Sequence, residues 1–221
     1  ATDSITTFAR FRLSPNGVYS YDGFGYEGEV EDLEVTIDKG TNGQFDWGDA
    51  PDRMDTAIGY PTLAAHNGAH HEISEIFRLG PRVDVEANGQ PDPNAMGDDN
   101  NGIDDGDGVM FTSPLVPGGM ATVDVEAPGG GILDAWVDFN GDFSWAEPGD
   151  RIFTTHVLAV GTNTLNFAVP GSATPSITTF ARFRLSPNGV SSYDGFGYEG
   201  EVEDHEVKID KGTGGDFDWG D

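Results

Sequence analysis

Thr7-Phe8-Ala9-Arg10-Phe11-Arg12-Leu13-Ser14 puts Ala9, Phe11 and Leu13 on one side of an extended chain and Arg10 and Arg12 on the other. Alternation with a period of two is the signature of a half-buried β-strand. The turn Ser14-Pro15-Asn16-Gly17 follows, then a Gly- and Tyr-rich loop over 19–25. A second alternating run sets Leu33, Val35 and Ile37 opposite Glu34 and Thr36. Val30 has the wrong parity for that run, which predicts a bulge or bend within Glu29–Asp32. The whole unit then returns at the far end of the chain. Residues 1–49 and 173–221 align without a gap at an offset of 172. They differ at 6 of 49 positions: Asp3/Pro175, Tyr19/Ser191, Leu33/His205, Thr36/Lys208, Asn42/Gly214 and Gln44/Asp216.

A period of 172 residues is too long for a solenoid rung and suits a complete domain. The expected organisation is 1–39 as the C-terminal strands of a preceding repeat, 40–44 as a linker and 45–209 as one complete repeat. A second linker at 210–216 and the start of a further repeat at 217–221 follow. Within the complete repeat, apolar alternation recurs at Ala121, Val123 and Val125; at Leu133, Ala135, Val137 and Phe139; over Ile152–Val160; and at Leu165, Phe167 and Val169. Residues 53–82 read as loop, with a short helix expected around Glu72–Phe77. Short alternating strands divided by Gly and Pro turns predict an all-β fold. Its expected form is an antiparallel β-sandwich with long acidic, Gly-rich loops, repeated in tandem. In each repeat the strand pair at 179–209 should complete the body. The apolar residues of the copy at 1–39 (Phe8, Phe11, Leu13, Val35 and Ile37) should be buried only by a neighbouring unit.

The chain has 39 acidic against 11 basic residues, a formal net charge of −28. Such a charge excludes nucleic acid and anionic membrane as partners, because both are polyanions. No apolar run reaches membrane-spanning length, no signal peptide is evident, and Cys is absent. Residues 83–150 hold 15 Asp or Glu and no Lys, Arg or His. Divalent cations in loops account for that placement better than a merely solvated surface, and calcium is the expected cofactor.

Three acidic sets are candidate ligands. In Asp138-Phe139-Asn140-Gly141-Asp142, the spacing i, i+2, i+4 after a strand gathers Asp138, Asn140 and Asp142 into one turn, as a hard cation requires. It is not an EF-hand, since Gly149 stands where that loop needs a bidentate Glu. Glu147 or Asp150 would have to complete the shell, and the competing reading is a plain Asx-rich turn. The second set is Asp98, Asp99, Asn101, Asp104, Asp105 and Asp107, whose crowded charges repel unless compensated. Its spacing is partly similar to calcium-binding thrombospondin type 3 loops. The third is Glu201 and Glu203, duplicated as Glu29 and Glu31, for which a solvated face is the competing reading. His66, His70 and His71 suit zinc poorly because Asn67-Gly68 opposes a helix between them, and no Ser lies in a nucleophile context.

The chain resembles the GEVED domain of large secreted bacterial proteins. The resemblance is carried by Phe45–Asp52, Tyr60–Ala65 with Asn67-Gly68-Ala69, Leu79-Gly80 with Val83-Asp84, and Gly89-Gln90-Pro91. It continues through Gly97-Asp98-Asp99, Asp107-Gly108-Val109 with Phe111, Leu133–Asp142, Gly161–Leu165, Ala181–Ser186 and Gly200–Asp204. Together these pieces span nearly all of 45–209. Phe143 departs from the family's usual Gly, and His70 from its common Arg. The resemblance implies an extracellular β-sandwich in multidomain surface proteins with no established enzymatic activity. The expected function is a non-enzymatic structural repeat of a calcium-stabilised filament or stalk, located extracellularly or at the cell surface. Its expected partners are copies of itself, arranged head to tail. The alternative is an adhesin or carbohydrate-binding module, with Tyr19, Tyr21, Phe24 and Tyr26 stacking on glycans.

Overall fold

The computed structural model describes residues 5–18, 20–25, 27–37, 44–52, 59–97 and 108–212. The chain divides into two units, 1–43 and 44–221. The first is an antiparallel hairpin of β1 (Ile5–Leu13) and β2 (Glu29–Ile37). The second contains β3 (Phe45–Trp47), β4 (His70–Ile73), β5 (Val109–Phe111), β6 (Met120–Ala127) and β7 (Gly131–Val137). It continues with β8 (Arg151–Leu158), β9 (Gly161–Ala168), β10 (Ile177–Ser186) and β11 (Phe196–Ile209). One sheet has the order β3-β4-β11-β10-β7-β8 and the other β5-β6-β9. The described residues are thus almost entirely β and irregular, with one three-residue 3-10 turn at Ala64–His66.

The two sheets of the second unit share one apolar core. Ala121, Val123, Val125 and Phe167 enter it from the small sheet, and Leu133, Ala135, Val137, Phe183, Leu185 and Ile209 from the large one. The alternation in β6 explains its placement, since every second residue from Ala121 to Ala127 is buried. Each such Val, Leu, Ile or Phe contributes about 1.5–3 kcal/mol by leaving water.

Four features depart from the sequence expectations. First, β10 is buried on both faces: Ala181, Phe183 and Leu185 face the core, while Arg182 and Arg184 on the opposite face are also buried. Loops fold over that face and give the arginines carbonyl and carboxylate partners. Second, the β10–β11 register runs unbroken through Glu201–Asp204, so the bend expected there does not occur. The irregularity lies one step earlier, between Gly197 and Gly200, where β11 meets β4. A Cβ on Gly200 would lie 2.0 Å from the Leu185 carbonyl oxygen, so only glycine permits that approach. Third, His70–Ile73 is a strand rather than the start of a helix, because it fills a place between β3 and β11. Fourth, β4 and β11 run parallel, in a sheet expected to be wholly antiparallel.

The first unit repeats the pairing of β10 and β11: Leu13 opposes Glu29 and Ala9 opposes Leu33, as Leu185 opposes Glu201 and Ala181 opposes His205. Its large side chains Phe8, Phe11, Leu13, Val30 and Leu33 are exposed.

Candidate functional site

The turn after β7 forms as a nested set of hydrogen bonds. Asp138 is fully buried at the end of the strand. Its Oδ1 accepts the N–H groups of Asn140 at 3.2 Å and Gly141 at 2.7 Å. Its Oδ2 accepts the Phe143 N–H at 2.9 Å and the Tyr60 hydroxyl at 2.7 Å. Four donors occupy the four lone-pair sites of this carboxylate. Asn140 Oδ1 accepts the Asp142 N–H at 3.1 Å, and Asp142 Oδ1 accepts the Ser144 N–H at 3.1 Å. The three residues are gathered as their spacing predicts, but the turn is closed by its own N–H groups. Asp138 therefore fits a cation poorly in this arrangement. Burial, with the Asp138 charge second, raises the Tyr60 hydroxyl above the usual phenol range, which keeps it a donor.

Opposite residues of an antiparallel pair share a face, so Glu201 and Glu203 follow Leu185 and Phe183 to the core side of the sheet. Both are buried. Glu201 accepts the Leu79 N–H, and Glu203 accepts the Gly108 N–H at 3.0 Å and contacts His205 Nε2 at 3.1 Å. These carboxylates tie loop backbone to β11, a role that alternation alone does not suggest. Asp98, Asp99, Asn101, Asp104, Asp105 and Asp107 lie outside the described residues.

The outer face of the large sheet holds the groups that sequence reading missed. Arg182 grips Asp204 with two hydrogen bonds of 2.6 Å, both side chains being wholly buried, and stacks over Trp145 at 4.6 Å. Asp204 Oδ2 also accepts the N–H groups of Asp49 and Ala50 at 2.9 and 2.8 Å. Arg184 donates to the carbonyls of Ser192, Asp194 and Gly195, and its Nε donates to His71 Nε2 at 3.0 Å. A guanidinium stays charged, so His71 must be neutral to accept. Burial first and the Arg184 charge second hold His71 well below the usual imidazole range. His70 stacks on Trp47, with ring centroids 4.1 Å apart. His66 contacts Asp52 at 2.8 Å. The one signal available in the sequence was that Arg10 and Arg12 recur unchanged as Arg182 and Arg184.

A further set of carboxylates lies around β3. Asp46 accepts the Val202 N–H at 2.6 Å, and Glu86 Oε2 accepts the Trp47 N–H at 3.0 Å. Burial, a contact with the Asp84 carboxyl and the Asp46 charge push Glu86 up to about 10. Beside the turn after β7, burial and Glu147 push Asp150 up to about 8. Among the described residues no three His, Asp or Glu side chains are gathered closely enough to hold a metal ion.

From β7 to β11, then, the chain supplies the centre of the large sheet, the closed turn at Asp138, and an Arg–Asp lock between adjacent strands. Residues 132–208 match the GEVED domain. The GEVED stretch runs from Ile132 in β7 to Lys208 in β11, narrower than the span over which the motifs resemble the family. The name-giving letters Gly200-Glu201-Val202-Glu203-Asp204 gain a physical reading: close approach, inward carboxylate, outward apolar contact, inward carboxylate, arginine partner. No curated protein and no solved structure matches the chain. Among the described residues no helix is long and apolar enough to cross a membrane.

Proposed function

We propose that this chain is a non-enzymatic structural unit of an extracellular, calcium-stabilised filament or stalk. Its GEVED-containing body is read as a β-sandwich repeated in tandem, each unit joined head to tail to the next copy. One observation carries the reading. A single hairpin sequence occurs twice, buried at the centre of the large sheet as β10–β11 and exposed as β1–β2. Phe11 is 59% exposed where Phe183 is 0%, and Leu13 is 73% exposed where Leu185 is 0%. A strand pair with two faces made for burial needs a body, and the body that fits it is that of another copy. Each unit passes a hairpin on in the same sense, so the contact does not close and the array grows. Calcium belongs to the reading through the net charge of −28 and the acidic stretch between residues 83 and 150, since self-repulsion there calls for counter-ions.

Sedimentation of the full chain over a range of concentrations tests the assembly. The parent should associate, and Phe11→Asp with Leu13→Asp should leave a folded monomer. A parent that stays monomeric throughout, or a double variant that associates equally, overturns it.

A specific observation also favours glycan binding as a second reading. An open cavity of about 390 Å³ is lined by Phe143 and Tyr193 together with Asp142, Glu147 and Asp194, a mixture of aromatic faces and hydrogen-bond acceptors that suits sugar hydroxyls. Tyr193 is the second-copy equivalent of Tyr21. Saturable binding on a glycan array, abolished by Tyr193→Ala, would favour this reading over a purely structural one.

A further inference from the structure

Asp46, Asp84 and Glu86 are each at least nine-tenths buried, and they come from two segments, β3 and the loop that crosses it. The crossing is fixed by backbone: the Glu86 N–H donates to the Phe45 carbonyl at 2.8 Å, and Phe45 and Glu86 form an isolated antiparallel bridge. Side chains follow from that bridge. Glu86 Oε2 turns to the Trp47 N–H, and Asp46 reaches across to the Val202 N–H. Glu86 Oε1 is left with no N–H or O–H donor, although Glu86 is only 5% exposed. What faces it is the Asp84 carboxyl, with Asp46 close enough for its charge to be felt. No Lys or Arg forms an ion pair with any of the three among the described residues.

Burying a carboxylate without a donor or a counter-charge is strongly unfavourable, so two facing carboxyls need something positive between them. We infer that Asp84 and Glu86 form a two-carboxylate site for a hard divalent cation, calcium, with Asp46 adding negative charge beside it. An all-oxygen donor set with no imidazole or thiolate selects calcium or magnesium over zinc or copper. Water and backbone oxygens would supply the remaining ligands that calcium takes. The site is separate from the turn at Asp138, whose oxygens are already taken. It would fasten β3 to the 84–86 segment, at the edge of the sheet that receives β11. The inference rests on the calcium part of the proposed function.

Glu86→Gln is the informative substitution. The amide keeps an acceptor for the Trp47 N–H and gains a donor for Asp84, so the fold needs no cation at this point. Calcium titration calorimetry on the full chain, after chelator treatment, should show one ion fewer for Glu86→Gln than for the parent. In chelator, the variant should melt at or above the parent; in millimolar calcium, its gain in melting temperature should be the smaller one. Asp84→Asn is the second variant, and should lose the same ion. Equal ion numbers in the parent and in whichever variants fold overturn this site while leaving the calcium reading in place. A parent that binds no calcium overturns both.

Discussion

Arg10 holds Asp32 and Arg182 holds Asp204 with the same fork, at 2.6 Å in each hairpin. The first pair is 44% and 48% exposed and the second 0% and 0%. Arg12 reaches the carbonyls of Ser20, Asp22 and Gly23 as Arg184 reaches those of Ser192, Asp194 and Gly195. Register, ion pair and loop clamp are therefore properties of the local sequence, formed whether or not a body surrounds them. Burial is supplied by the partner elements: β4 and β7 flank the second hairpin, and Tyr60, Trp145 and the loop carbonyl of Pro61 close over its arginine face. The hairpin is a preformed part, and its surroundings decide what each of its residues is worth.

The sharpest way to break this comparison is to remove the same charge from each copy. Arg182→Ala leaves Asp204 buried without its cation, and breaking a buried pair in this way costs about 3–5 kcal/mol. Urea denaturation should show the midpoint of the second unit falling accordingly. Arg10→Ala strips a solvent-screened pair and should leave that midpoint where it is. Equal shifts from the two substitutions would mean that the hairpins share one environment, and the comparison would collapse.

Acid sharpens it further, because His71 contacts the second hairpin and the contact requires a neutral ring. A base whose folded pKa is lowered takes up protons in the unfolded state first. Stability from His71 is then fully present above the unfolded value of 6.5 and is lost as the pH falls below it. The raised carboxyls Glu86 and Asp150 act in the opposite sense, favouring the folded state less as the pH rises from the usual carboxylate range toward about 10 and about 8. The difference between the parent and His71→Gln isolates the histidine, since Gln still accepts from Arg184. The variant should lose less stability than the parent between pH 7 and pH 5. Parallel melting curves across that range would remove His71 from the account.

Much of the fold was legible because its core is made of period-two runs. Ala121, Val123 and Val125 on β6, and Leu133, Ala135 and Val137 on β7, are buried as their alternation predicts. The same rule misleads for β10, where a polar residue every second position signals solvent unless something folds over it. What folds over it comes from residues 60–71 and 190–195, loops without periodicity whose path no local pattern encodes. The acidic motif was legible as a cluster and opaque as a geometry. Glu201 and Glu203 share a parity with Val207 and Ile209, which places charge on an apolar face, an assignment that alternation counts as an error. Their backbone partners, Leu79 and Gly108, lie 122 and 95 residues away in the chain. Asp138 illustrates a third limit. Its spacing suits a cation and an Asx turn equally, and the choice turns on Tyr60, 78 residues distant, which fills a lone pair that no spacing rule counts.

The smallest expected effect comes from making the two hairpins the same. Within the described strands they differ at Leu33/His205, where the copy in the body has His205 contacting Glu203 at 3.1 Å and the Phe183 ring at 5.9 Å. Thr36/Lys208 is the other strand difference, and the Lys208 side chain is 70% exposed. His205→Leu removes a contact to a buried carboxylate that keeps the Gly108 N–H, and adds apolar surface beside Phe183. Losing a hydrogen bond to a charged group costs about 1.5–3 kcal/mol, and burying a Leu side chain returns about the same. Lys208→Thr acts at an exposed position, where substitutions stay within about 0.5 kcal/mol. The double variant should therefore unfold within about 1 kcal/mol of the parent, measured by urea denaturation at constant pH and calcium. That outcome means the place between β4 and β7 accepts the β1–β2 sequence as readily as its own, as a head-to-tail array of copies requires. A loss of several kcal/mol would mean that His205 fits the body to one hairpin alone, and the exposed copy would then need a different partner.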